Sequence, residues 1–176
     1  IIFAFLSVTI VFTALAYGTV HQPIIALFYL IVSAIVILWA VDSFQTGVLR
    51  FNKTLLQLTI ILRVLYAFIQ IIPFGTLAER GGLTGIPRTI SLEPFWTQMF
   101  AFHFIALLLI FSASLTYLVS ARRLRVMTSL ITIFGFGFAF FAILQSVLSP
   151  TKIYGIYGAE FAQPFGSFVN RHNFAA

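Results

Sequence analysis

The sequence predicts an all-α fold, a polytopic membrane bundle of about five transmembrane helices with the start of a sixth. Three observations carry this. Of 176 residues, 61% are hydrophobic and 8% charged, against about 25% charged in soluble domains. The mean hydropathy is +1.08. The apolar residues fall into runs long enough to span a bilayer, and glycine, proline and charged residues collect between the runs. The chain is therefore expected to form one transmembrane domain over 1–176, with an external loop at 73–94 and an external re-entry segment at 149–173. The formal charge is +6, but the basic residues are scattered between apolar runs as membrane flanks, so no nucleic-acid partner is expected. Cysteine is absent, which removes thiol chemistry and disulfides. Membrane lipids are the first expected partner.

The spans are expected near 1–17, 24–42, 54–72, 95–120 and 126–148. Ile1 already lies inside an apolar run, and the first run reads as the remainder of a helix. Gly18 to Pro23 is a turn that sends the second helix back beside the first, with His21 as an interfacial polar residue. Trp39, near the end of the second span, reads as an interface anchor. Asp42 to Lys53 is a polar connection, and Pro73 closes the third span.

Arg63 sits inside that third span. A guanidinium at mid-membrane costs roughly 2.5–3.5 kcal/mol and must face protein or water. Thr59, Tyr66 and Gln70 share its face at helical spacing. One reading is an interhelical hydrogen-bond seam pointing into the bundle, with Asp42 or a backbone carbonyl as partner. The other is a charge that faces an anionic lipid head group.

Phe74 to Pro94 is rich in glycine and proline. Pro94 after Glu93 suits a helix start, and Trp96 is placed to anchor it at the interface. His103 reads as a packed, hydrogen-bonding residue, since no partner lies at metal-ligand spacing. Ala121 to Arg125, ARRLR, is expected as a short basic connection and a cytoplasmic marker. This places the N-terminus in the cytoplasm and the C-terminal stretch outside. In the fifth span, Thr128, Thr132, Gly135, Ala139, Ala142 and Ser146 form a small-residue face suited to close helix packing. Gly135 and Gly137 lie inside a span and form no dinucleotide fingerprint. No cofactor, metal or complete catalytic set is expected.

The stretch from Lys152 to Ala176 is unlike the rest. Gly155, Gly158, Pro164 and Gly166 break helix, and a polar cluster, Asn170, Arg171, His172 and Asn173, stands where another apolar run begins. Such a cluster at the mouth of a helix cut short suggests a fragment. Asn170 is a good cap type, and the cluster reads as a helix cap and interface anchor.

The run Pro164-Phe165-Gly166-Ser167-Phe168-Val169-Asn170-Arg171-His172-Asn173-Phe174-Ala175 resembles the G-x-F-x-N-x-N-H-F-A motif of the O-antigen ligase and polymerase superfamily. Here the last His and Asn are exchanged relative to that motif. Lys152-Ile153-Tyr154-Gly155 and Gln145 resemble its lead-in. Tyr17-Gly18-Thr19-Val20 followed by Pro23, and Ser91-Leu92-Glu93-Pro94, are weaker echoes in the same order. The resemblance implies a glycosyltransferase of the bacterial cytoplasmic membrane acting on a polyprenyl-diphosphate-linked glycan. It also implies that the principal catalytic Arg and His residues lie in a later external loop that this sequence does not contain. Under it, Asn170, Arg171, His172, Asn173 and Arg63 are the expected substrate-binding residues. A reading from another class is a non-catalytic transmembrane subunit packed against larger membrane protein partners.

Overall fold

A computed structural model describes residues 1–16, 21–52, 54–73, 88–154, 156–158 and 164–168. Five helices account for most of them: α1 Ile2–Leu15, α2 Gln22–Thr46, α3 Leu55–Ile71, α4 Pro94–Tyr117 and α5 Ala121–Leu148. A two-residue hairpin, β1 Lys152–Ile153 paired antiparallel with β2 Tyr157–Gly158, follows them. The fold is all-α, as the composition requires. Helices α2, α4 and α5 are long and apolar enough to cross a membrane, and α1 and α3 are shorter apolar helices.

The outer surface is that of a membrane protein. Ile133, Phe136 and Val147 on α5 are each more than 70% exposed, as are Leu49 and Leu92 in the connections. Within the apolar helices, hydroxyls turn back on their own backbone. Ser7 donates to the Phe3 carbonyl at 3.0 Å, Thr9 to Phe5 at 2.8 Å and Thr116 to Ser112 at 2.8 Å. This satisfies a polar group that lipid cannot.

Local chemistry sets the helix ends. Pro23 stands in the first turn of α2, and Gly47 ends the helix in the left-handed region at φ 67°. Thr54 caps α3 by accepting from the Leu56 N–H at 3.1 Å. The last turn stops at Ile72, whose ψ of 129° is the extended conformation imposed by the following Pro73. Pro94 opens α4, with the Glu93 carbonyl accepting the first helical bond from Thr97 at 3.1 Å.

Two expected connections are shorter than the sequence suggested. Residues 42–46 continue α2, and Thr46 bonds back to the Asp42 carbonyl at 2.8 Å. The ARRLR segment is the start of α5 and not a loop. Ser120 caps that helix by accepting from the Arg123 N–H at 3.2 Å, and arginine is a good helix former.

The chain divides into two compact units. One comprises Ile1–Gly47 and Tyr117–Ala176, the other Val48–Thr116. In the first, α1 packs on α2 and on α5. Leu6, Phe28, Ile35 and Phe138 are among its buried apolar residues. Trp39 is 8% exposed and sits edge-on to the Tyr117 ring at 6.3 Å. It is therefore a core residue, against the expectation of an interface anchor. Trp96, in the first turn of α4, is 55% exposed, as an anchor would be. On α5 the buried stripe is Met127, Phe138, Ala142 and Gln145. Thr128, Thr132 and Gly135 of the expected small-residue face are exposed, and Ala142 alone of that face is fully buried. The buried stripe is turned about 80° from the small face, and it carries Phe138, whose ring meets that of Phe168, and Gln145, which bonds to the Gly166 carbonyl.

In the second unit the buried residues of α3 are Gln57, Val64 and Ala67. Gln57 donates to the Ser112 hydroxyl at 3.1 Å, so the polar seam between α3 and α4 is made there. The stripe expected to point inward points outward. Thr59, Arg63 and Tyr66 are exposed and Gln70 is half-buried. Asp42, named as a partner for Arg63, instead accepts from the Tyr117 hydroxyl at 2.7 Å.

Candidate functional site

Helix α1 ends without a glycine cap, its last backbone bond running from the Ala16 N–H to the Phe12 carbonyl at 2.8 Å, and the carbonyls beyond that bond need donors from elsewhere. Two of them are taken from far along the chain. The Tyr154 hydroxyl donates to the Leu15 carbonyl, and the Ser167 hydroxyl donates to the Ala14 carbonyl. A third polar side chain joins these segments. Gln145, in the last turn of α5 and 6% exposed, accepts from the Tyr154 N–H at 3.0 Å through Oε1. Its Nε2 donates to the Gly166 carbonyl at 2.9 Å. One amide thus joins two stretches of irregular backbone to the end of a membrane helix.

The sequence builds this cluster locally. The Ser149 N–H donates to the Gln145 carbonyl and the Lys152 N–H to that of Ser149, which ends α5 and turns the chain into β1. Tyr154 takes a positive φ of 53°, uncommon for a bulky residue. Its two hydrogen bonds and its ring contact with Phe141 at 5.7 Å hold it there. Phe165 and Phe168 exchange backbone hydrogen bonds of 3.0 and 3.1 Å around Gly166 and Ser167. Gly166 has φ 62° and Ser167 a non-positive φ, the pattern of a tight hairpin turn with glycine in the first central position. Ser167 is fully buried, and the Phe168 ring lies 6.5 Å from Phe138.

The electrostatics are those of a positioning device. Burial pushes the Tyr154 phenol above its usual range, with the Ser167 hydrogen bond acting in the opposite direction. The phenol is therefore a protonated donor at neutral pH. Gln145, Tyr154 and Ser167 all bond to backbone groups. Among the described residues no three of His, Cys, Asp and Glu come together as a metal site.

A second polar cluster lies in the same unit. Tyr117 donates its hydroxyl to Asp42, while its carbonyl, at the end of α4, accepts from Arg123 Nη1 at 3.1 Å. A cation at a helix C-terminus is favourably placed.

Of the sequence candidates, Asn170, Arg171, His172 and Asn173 lie outside the described residues. Phe168, two residues before Asn170, closes the described chain. Arg63 is in the centre of α3, with its guanidinium 6.0 Å from the centre of the Phe104 ring. His103 is half-buried on α4. The Gln145–Tyr154–Ser167 lock, the Asp42–Tyr117 bond and the Gln57–Ser112 bond had no individual prediction. Their available signal was a polar residue in or beside an otherwise apolar run, which marks a residue that needs a partner without naming the partner. No family model, curated protein or solved structure matches this chain.

Proposed function

We propose that this chain is part of a membrane glycosyltransferase of the O-antigen ligase and polymerase type, which transfers or polymerises a polyprenyl-diphosphate-linked glycan outside the bacterial cytoplasmic membrane. The carrying observation is the terminal motif, Gly166-Ser167-Phe168-Val169-Asn170-Arg171-His172-Asn173. The lock described above supports it. Gly166 and Ser167, the first residues of that motif, are tied to the ends of α5 and α1. Arg171 follows Ser167 by four residues, at most about 14 Å of chain. In this reading Arg171 grips the diphosphate, Asn170, His172 and Asn173 supply further polar contacts, and catalysis belongs to residues beyond this chain. The proposed topology keeps the N-terminus and the ARRLR start of α5 cytoplasmic.

The test is transfer activity in membranes that contain the whole protein. Loss of a charged hydrogen bond to phosphate is worth about 1.5–3 kcal/mol, or about ten- to a hundredfold in transfer rate. Arg171→Ala should show that loss at unchanged protein abundance, and Arg171→Lys should recover only part of it. Normal transfer by Arg171→Ala would reduce the motif to a helix cap. It would favour the alternative, a non-catalytic transmembrane subunit, for which the exposed Thr128, Thr132 and Gly135 offer a packing face.

A further inference from the structure

We propose that the outward face of α3 docks a further membrane-spanning helix that carries a carboxylate near its midpoint, with Arg63 as its counter-ion. The proposal does not rest on the glycan-transfer reading. Arg63 lies eight residues from Leu55 and eight from Ile71, about 12 Å from either end of the helix. That exceeds the reach of an arginine side chain, so head-group phosphates at the helix ends are out of range.

Among the described residues, the contact of its guanidinium is the Phe104 ring. That contact orients the charge without neutralising it. Thr59 and Tyr66 are exposed beside it, and Gln70 lies one turn beyond Tyr66. Together they present hydroxyls and an amide along one line, about a third of a turn from the buried Gln57, Val64 and Ala67 face. A polar line on a lipid-exposed face is expensive unless a partner covers it.

The charge of the partner follows from the chain itself. Its four acids are Asp42, Glu79, Glu93 and Glu160. Asp42 is in the last turns of α2 and accepts from Tyr117, and Glu93 directly precedes α4. Glu79 and Glu160 fall in the glycine-rich stretches between and after the apolar runs. None falls in the middle of an apolar run of the sequence, so a second copy of the chain adds no carboxylate there either. The complementary group must arrive on a different helix.

The test reconstitutes the full chain in phosphatidylcholine vesicles. The probe is a labelled leucine helix of about 20 residues with one central Glu, compared with the same helix carrying Leu or Gln there. Energy transfer between chain and probe reports association. The Glu helix should associate about tenfold more tightly than the Leu helix, and the preference should vanish in Arg63→Leu and persist in part in Arg63→Lys. Arg63→Gln, which keeps a polar donor, guards against misfolding: it should retain weak binding of all three probes without the Glu preference. Equal binding of Glu and Leu probes overturns the proposal. So does a Glu preference that survives Arg63→Leu. Loss of the preference in vesicles enriched in phosphatidylglycerol would assign Arg63 to lipid anions and overturn it too.

Discussion

The two units close the C-terminal ends of their helices in different ways. In the unit built from Ile1–Gly47 and Tyr117–Ala176, side chains go to backbone groups at helix ends. Tyr154 and Ser167 cap α1, Arg123 caps α4, and Gln145 holds two irregular segments. In the Val48–Thr116 unit, the described bonds that close the end of α3 join backbone groups. The Ser91 N–H donates to the Gln70 carbonyl at 3.0 Å, and Pro73 pairs with Thr89. Its buried side-chain pair, Gln57 with Ser112, lies within the helices. The difference matters energetically. A helix-end carbonyl has no other donor once water is excluded, so its partner is obligatory. A hydroxyl inside a helix can fall back on its own backbone, so a mid-span pair is replaceable.

That contrast can be broken first at Gln145. Gln145→Ala leaves the Tyr154 N–H and the Gly166 carbonyl without their partner. Each orphaned buried group costs about 1–3 kcal/mol, so for the two a loss of about 2–6 kcal/mol is expected. Chemical unfolding in detergent should show it, together with faster proteolysis after Leu148. A loss below that of the mid-span variant below would erase the distinction.

A smaller effect is expected at Tyr154, where removal of one neutral hydrogen bond in Tyr154→Phe is worth about 0.5–1.5 kcal/mol. The same residue gives a pH test. Its phenol is raised in the folded state by burial. The associated stability is therefore complete below the ordinary phenol range near 10 and is lost as pH rises through the higher folded value. Wild-type protein should loosen at the C-terminal stretch above that range, and Tyr154→Phe should lack this transition. An identical alkaline transition in both proteins would remove Tyr154 from the lock.

The smallest effect belongs to Gln57→Leu. Ser112 can bond to its own helix, so the loss should stay near about 0.6 kcal/mol, the average for interhelical hydrogen bonds in membranes. A loss of several kcal/mol in the same unfolding measurement would show that the mid-span pair is as obligatory as the helix-end lock.

The positions of the helices were legible because the signals for them are local. Pro73 and Pro94 stop and start helices through their own rings, and Gly47 and Ser120 act within one turn. The ARRLR segment was misread for a related reason. A charge cluster does not by itself interrupt a helix: arginine is a good helix former and Ser120 supplies the cap that starts α5 ahead of it. The Gln145–Ser167 lock was half legible. The resemblance singled out both residues, but Ala14 and Leu15, which complete the site, differ from their apolar neighbours only in being last in their helix.

The sequence by itself determined a membrane-spanning, all-helical chain, its apolar runs and the polar segments between them, because hydropathy and the backbone limits of proline and glycine need no tertiary partner. The tertiary structure decided which face of each helix is inside. In a helix that is apolar all round, periodicity no longer distinguishes core from lipid. Trp39 went to the core, the small-residue face of α5 stayed largely outside and Arg63 turned outward. Those choices rest on ring packing and a few polar contacts between residues far apart in sequence.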